Sequence, residues 1–396
     1  MAQNISVGID IGSAYIKVIV TESTSDQKTK PKVIGYGLQE SKGVHRGYIV
    51  NIEEATLSIK QALLQAEKTS GYKITKAYVA IGGIGLTSAV FSSTLLLGDK
   101  DSEVTTSDIK KLSEQCETDI PPQFLLNKEI IHAIPLQYKL DGKVVLGRVL
   151  GLKGSKLEVR MLFITALSQH IRDIVDALGI CHIGVEDVLA SPLATSLVTL
   201  SKNQQMAGCL LLNIGSETTT TTVFENGYPI SLEVLPIGGT DITHDIALGL
   251  KISIEDAERV KQARPETVPY PRKKIEEIVS ARLGDVFELV EVHLKKIGRN
   301  GLLPAGVNIT GGTACINTIE EIAKANLKLS AKKIGIKFEG DSKIGLKDGT
   351  WSVAYGLCVL GTEDNDSRST INLYGMRNVM YSAKNNIWAW IKKILP

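Results

Sequence analysis

No run of about eighteen consecutive apolar residues occurs anywhere in this chain, which excludes a membrane-spanning helix. The start, MAQNISVGIDIGS, has no basic segment followed by an apolar run and a cleavage site, so no secretory signal is read there. The five cysteines (Cys116, Cys181, Cys209, Cys315, Cys358) are scattered and never in CxxC spacing, the pattern of reduced thiols rather than of disulfides or a zinc site. Neither HExxH nor GxSxG is present, and Cys181–His182 are expected to point to opposite faces of a strand. A net charge of +2 without a long basic run gives no electrostatic footprint for nucleic acid. These absences together predict a cytoplasmic protein without hydrolase or metal-centre signatures.

What is present is a repeated pattern. Ile5–Asp10 reads as a buried strand, Gly12–Ser13 as a tight turn and Tyr15–Thr21 as a returning strand. About 200 residues later Cys209–Asn213, Gly215–Ser216 and Thr218–Phe224 repeat it, which predicts an internal duplication and two α/β domains facing a cleft. A helix is expected over Asn51–Thr69, ended by Gly71, and a strand over Lys76–Ile81. Residues 85–164 differ in texture, with strands at Ser88–Leu97, Glu129–Tyr138 and Leu157–Thr165 and a helix capped by Ser107. They read as a small α+β module inserted into the first domain. A helix over Ser168–Leu178, a strand over His182–Asp187 and a helix over Ser191–Leu200 follow. Two long helices are expected between Ile246 and Gly301, one capped by Ser253 and one over Lys273–Ile297, before a strand over Gly306–Thr310.

Four motifs carry chemistry. Asp10-Ile-Gly12-Ser13 aims backbone N–H groups at a phosphate, while Asp10 can hold a metal-bound water and Lys17 can reach a phosphate. Asn213-Ile-Gly215-Ser216-Glu217-Thr218 is a second such turn, gripping the phosphates from across the cleft. Val307–Ala314 runs from a strand into Gly311 and Gly312, whose lack of side chains admits a purine or ribose, and on through Thr313 into an expected helix start. The segment Pro236–Ile246, with Gly238 and Gly239, is expected to precede a helix on which Glu258 and Lys261 share one face.

The last eleven residues, Asn386–Pro396, form an amphipathic pattern. Ile387, Trp388, Trp390, Ile391, Ile394 and Leu395 fall within an arc of about 160° on a helical wheel, and Lys392 and Lys393 lie outside it. Trp favours the headgroup boundary, and the segment is about half a bilayer span, so it would lie in an anionic membrane surface. A polar tether of about 25 residues precedes it.

In this order the motifs resemble those of the actin, heat-shock ATPase and sugar-kinase superfamily, and within it the FtsA family of bacterial cell division. Asp10–Lys17 corresponds to the family's first phosphate loop, Asn213–Thr218 to the second and Val307–Ala314 to its adenosine motif. Glu129–Arg160 is similar to the family's inserted subdomain 1C, and the Trp-Ile-Lys terminus to its membrane-targeting helix.

The resemblance implies an actin-like, ribonuclease H-like duplicated α/β fold. Subdomain 1A would span 1–84, continued at 165–200 and about 351–365; 1C would span 85–164; 2A would span 201–245, continued at 303–350; and 2B would span 246–302. A linker at 366–385 and the terminal helix at 386–396 would follow. It further implies ATP and Mg²⁺ in the cleft, self-assembly into filaments and a peripheral place at the division site. The C-terminal tail of FtsZ would dock on 2B, with Arg282 beside Arg272, Lys273 and Lys274 as its positive charge. Later division proteins would meet 1C.

Three positions depart from the family pattern: Asn213 where most relatives carry Asp, Tyr15 where many FtsA sequences carry lysine, and Ser191 before Pro192. An amide holds a hydrated Mg²⁺ less firmly than a carboxylate, so slow turnover is expected. The nearest alternative is a PilM-like component of a type IV pilus machine, which would not need its own amphipathic terminus. A soluble sugar kinase would need a second acid beside the first loop, and none is suitably placed. A pseudo-ATPase that binds nucleotide without turnover stays close to the main reading.

Overall fold

The computed structural model describes residues 3–24, 30–98, 101–262, 269–336, 338 and 349–365. The chain opens with β1 (Gln3–Ile11), β2 (Tyr15–Thr24) and β3 (Lys32–Glu40). A short hairpin, β4 (Val44–His45) and β5 (Tyr48–Ile49), then leads to α1 (Ile52–Ser70) and β6 (Lys76–Ile81). The insert comprises β7 (Thr87–Leu96), α2 (Thr106–Thr118), β8 (Lys128–Leu140), β9 (Lys143–Val144) and β10 (Lys156–Leu167). The first domain resumes with α3 (Ser168–Ile180), β11 (Gly184–Ala190) and α4 (Ser191–Thr199).

The second domain begins with α5 (Lys202–Ala207), β12 (Cys209–Ile214), β13 (Thr219–Glu225) and β14 (Tyr228–Leu235). Three helices follow: α6 (Gly239–Leu250), α7 (Ile254–Gln262) and α8 (Arg272–Lys296). β15 (Val307–Thr310), α9 (Ile319–Leu327), β16 (Ala331–Lys333) and α10 (Ser352–Asn365) complete the described chain.

The two domains repeat one sheet. The first has the order β11-β6-β1-β2-β3, and β16-β15-β12-β13-β14 reproduces it in the second. In each, the inner strand pairs antiparallel with the next in sequence and parallel with the strand on its other side. β13 shows why such strands form here. Its Thr-Thr-Thr-Thr-Val-Phe run is buried on both faces, where β-branched side chains pack well. The buried Thr219 hydroxyl donates to the carbonyl of Ile237 at 2.8 Å, which pairs that group.

The insert belongs to the first domain in sequence but extends the second domain's sheet. β14 meets β7 at the single pair Glu233–Thr87. The Ser88 hydroxyl continues the junction, donating to the Leu232 carbonyl at 2.9 Å and accepting its N–H at 2.7 Å. Nine strands result, ending in β10, β8 and β9. α2 covers this part over a separate core that includes Leu112, Cys116, Met161 and Phe163.

α1 completes the free edge of β3, which would otherwise be open for pairing with another chain. Thr69 Oγ1 accepts the Tyr36 N–H at 2.9 Å, and Gln65 Oε1 accepts the Leu38 N–H at 3.1 Å. Gly35 and Gly37 permit the close approach, since side chains there would collide with Ser70 and Ala62. Asn51 caps α1 by accepting from the amides of Glu53 and Glu54, and Gly71 ends it in a left-handed conformation.

Several local expectations are corrected. The N-cap of α2 is Thr105 rather than Ser107, because Thr105 and Asp108 form the reciprocal capping pair. Cys181 and His182 lie in the turn after α3, with His182 at φ 60°, so β11 starts only at Gly184. The segment from Gly239 to Ile246 is itself helix, where a loop leading to a helix was expected. The Asp241 carboxylate accepts the Gly238 N–H at 2.8 Å and so starts α6 early. Of the two long helices expected, α8 has 25 residues and the described part of α7 has nine. No described helix is long and apolar enough to cross a membrane.

Candidate functional site: twin glycine turns across a cleft

Each domain presents a turn between its inner strand and the antiparallel neighbour, closed by the same hydrogen bond. The Gly12 N–H donates to the Tyr15 carbonyl at 3.2 Å, and the Gly215 N–H to the Thr218 carbonyl at 2.8 Å. The turns share Ile-Gly-Ser and differ on either side, Asp10-Ile-Gly-Ser-Ala14 against Asn213-Ile-Gly-Ser-Glu217.

In the first turn Asp10 stands opposite Lys17 in the strand register, with Nζ 3.7 Å from Oδ2. Burial pushes the Asp10 carboxyl above its usual range, and Lys17 counters part of that shift by charge and hydrogen bonding. In the second turn the corresponding pair is Asn213 and Thr220, which is uncharged. At this register position the first turn is therefore charged and the second is not.

The other two motifs brace the second turn. Gly311, at φ 96°, leaves β15 where a side chain would strike Asn213 Oδ1 and the Ile214 carbonyl. A 3-10 turn, Gly312–Cys315, follows in place of an α-helix start, and the Thr313 hydroxyl donates to the Gly215 carbonyl at 2.8 Å. A side chain at Gly312, by contrast, would enter open space. From α6 the Gly239 N–H donates to Gly215 O at 2.9 Å and the Thr240 N–H to Ser216 O at 2.6 Å. The amides at this helix start are thus used on the turn itself, and Gly238 and Gly239 allow the contact, since side chains would strike Ser216 and Thr313.

Lys261 supplies the second brace. Its ammonium donates to Gly239 O at 3.0 Å, Thr243 Oγ1 at 2.8 Å and Glu258 Oε2 at 2.7 Å. Burial raises the Glu258 carboxyl, but hydrogen bonds from Lys261, Thr243 and Gln262 hold it below the usual range. The Lys261 side chain is only 9% exposed, so this pair is no ordinary surface ion pair.

Three residues that the sequence did not mark join the site. The β4–β5 tip reaches the cleft mouth, where the Gly47 N–H donates to Ser13 Oγ at 2.8 Å. The Arg46 N–H donates to the Glu217 carboxylate, whose other oxygen lies 3.0 Å from His45 Nδ1. The only local signal was the Arg-Gly pair between two very short strands.

Arg282 lies on α8 outside the cleft. It makes two hydrogen bonds to Asp245 on α6, at 2.6 and 3.0 Å, and an ion pair with Asp285 at 3.2 Å. Its guanidinium ties α6 to α8. Arg272 and Lys273 face Glu276 and Glu277 one turn further along the same helix. The residues expected to meet a membrane, Ile387, Trp388, Trp390, Ile391, Lys392, Lys393, Ile394 and Leu395, lie outside the described residues.

Among the described residues no three acidic, His or Cys side chains converge as a metal cage. Asp10 alone suits Mg²⁺ held through water, since that ion commonly keeps several waters and takes its remaining ligands from substrate phosphates.

Two domains with one strand order, each offering a glycine turn to a shared cleft, define an actin-like protein. Among solved structures, the chain is similar to the PilM–PilN type IV pilus biogenesis complex, with TM-score 0.66 and 16% identity over 90% of this chain and 98% of that one. It is also similar to MreB5 of Spiroplasma citri bound to ADP, with TM-score 0.53 and 12% identity over 92% and 99%. At these identities the likeness is one of fold.

The sequence relatives are more specific. The family described as cell division protein FtsA matches residues 210–356, and the SHS2 domain inserted in FtsA matches residues 84–165. Cell division protein FtsA of Bacillus subtilis (strain 168) is 29% identical, covering 89% of this chain and 82% of its own length. That of Pseudomonas aeruginosa is 27% identical, covering 93% and 92%. The chain belongs to the FtsA family of cell division proteins.

Proposed function

We propose that this protein binds ATP with Mg²⁺ between its two domains, assembles into actin-like filaments and anchors FtsZ polymers to the cytoplasmic membrane through its last eleven residues. The observation that carries the reading is the match to cell division protein FtsA sequences along most of the chain, covering 89% and 93% of it, at 29% and 27% identity.

In this reading the amides of the Gly12–Ser13 and Gly215–Ser216 turns face the phosphates, together with the neighbouring Glu217 and Thr218. Lys17 neutralises phosphate charge, and Asp10 holds Mg²⁺ through water. Gly311, Gly312 and Thr313 form the adenosine side. Gly238, Gly239, Glu258 and Lys261 act indirectly, by fixing the second turn. When bound, Mg²⁺ offsets the charge of the phosphates.

The FtsZ tail is proposed to dock on residues 246–302. Because Arg282 holds α6 to α8, the positive charge offered to an acidic tail falls to the start of α8. Reversing Lys273 and Lys274 tests that site. Tail-peptide anisotropy should show weaker binding, and an unchanged affinity rejects the assignment.

Sedimentation with anionic liposomes, with and without ATP and residues 386–396, tests the whole reading. ATP-dependent pelleting that disappears on truncation is the expected result. Pelleting by the truncated chain would reject the terminal helix as the anchor and give the PilM-like alternative the lead.

A further inference from the structure

We infer that the β4–β5 hairpin is a strap across the cleft mouth, with Glu217 as its catch, and that it retards the entry and exit of nucleotide. The inference rests on the nucleotide reading above. It adds the hairpin residues His45, Arg46 and Gly47, which that reading does not use, and gives the Glu217 carboxylate a role apart from the phosphates.

The hairpin turns on Arg46 at φ 48° and Gly47 at φ 80°, a left-handed pair of the kind that closes two-residue hairpins. The turn sends two successive amides to two different domains. The Gly47 N–H goes to Ser13 in the first, at 2.8 Å, and the Arg46 N–H to the Glu217 carboxylate in the second. The hairpin is seated firmly on its own domain. A side chain at Gly47 would strike the backbone of Gly83, and the Tyr48 ring packs edge-on against His170 at 4.6 Å. The contact free to break when the domains part is therefore the one to Glu217.

The duplication points to the same residue. Both turns carry Ile-Gly-Ser, but the acid precedes that triplet in the first copy (Asp10) and follows it in the second (Glu217). Asp10 pairs with Lys17 at the base of its own turn, whereas Glu217 turns its carboxylate to the Arg46 amide and to His45, with His45 Nδ1 at 3.0 Å. Placed beside a triphosphate, a free carboxylate would repel it. Engaged by two donors of the opposite domain, it instead ties the walls of the cleft together. Hydrogen bonds to a charged acceptor are the stronger kind, so breaking this catch should contribute measurably to the barrier for release.

Two measurements on the full chain test the strap. Hydrogen exchange over residues 44–49 without nucleotide should show a protected Arg46 amide in the native protein and faster exchange in Glu217→Gln. Stopped-flow release of a fluorescent ATP analogue should then be about tenfold faster or more in Glu217→Gln, with entry also faster, so that Kd changes less than either rate. Glu217→Asp, which keeps the charge but shortens the reach, should fall between. Equal protection in the native protein and Glu217→Gln overturns the catch. Faster exchange with unchanged release overturns the strap. A native chain that binds no analogue removes the nucleotide reading and the strap with it, while the exchange data still report whether the catch exists.

Discussion

Lys261 on α7 places its ammonium 2.7 Å from Glu258 and, with the same group, reaches back 3.0 Å to the carbonyl of Gly239 at the start of α6. One nearly buried cation thereby fixes the helix start that supports the second glycine turn.

Removing that cation should cost both stability and the site. Lys261→Ala leaves the Thr243 hydroxyl and the Gly239 carbonyl without this donor and the Glu258 carboxylate without its counter-charge. A loss of about 2 kcal/mol in denaturant unfolding is expected, moderated by the partial exposure of Glu258. Nucleotide affinity measured by calorimetry should fall as well. Unchanged values on both counts would show that the second turn holds its shape without the brace.

The adjacent glycines Gly311 and Gly312 should respond in opposite ways. Gly311→Ala forces a side chain into a left-handed position against Asn213 and Ile214, so the protein should lose roughly 2 kcal/mol or more of stability. Gly312→Val meets open space in the protein and should fold nearly normally. If that space receives the adenosine, calorimetry will show ATP binding sharply reduced in Gly312→Val. Native-like binding by that variant would move the nucleotide elsewhere.

Asn213 is the neutral counterpart of Asp10, and restoring an acid there should strengthen the hold on hydrated Mg²⁺. Asn213→Asp is expected to release phosphate from ATP faster than the native chain, which should turn over slowly. Brisk hydrolysis by the native protein would remove Asn213 as the limiting feature.

Two buried imidazoles should make the protein acid-sensitive. Burial lowers His132 to about 3, with its Nε2 accepting the Ala190 N–H at 3.0 Å, and lowers His170 to about 4. Both lie below the unfolded value of about 6.5, so the unfolded chain binds more protons between these limits. Stability contributed by the neutral rings is complete above about pH 6.5 and falls as pH drops toward 4 and then 3. Each ring should account for about 1–2 kcal/mol by pH 5. Urea midpoints measured across pH 4–7 should flatten in His170→Leu. A slope unchanged by that substitution would assign the sensitivity to other groups.

The terminal helix offers a single-residue test. Trp390→Glu places a charge in the middle of the apolar arc, where burial in the interface is unfavourable. The variant should stay in solution with liposomes while binding ATP as the native chain does. Full membrane retention would mean that the segment packs as an ordinary terminus.

Much of this protein was determined by the sequence itself, wherever neighbouring residues carry the instruction. Buried apolar and β-branched runs specify β1, β12 and β13, and Asn51 and Gly71 mark the ends of α1. The repeated Ile-Gly-Ser turn reveals the duplication because only a tight glycine turn satisfies both copies.

Tertiary structure decided which of these pieces meet. Glu217 finds Arg46 from 171 residues away, and no local periodicity encodes that encounter. Ser88 and Thr87 carry the insert onto the second domain's sheet although the chain enters it from the first. Arg282 looks like free charge on a helix until α6 brings Asp245 within 2.6 Å. Spacing along the chain fixes which face of a helix or strand a residue occupies, whereas the partner on the opposing face is set by how the two domains and the insert pack.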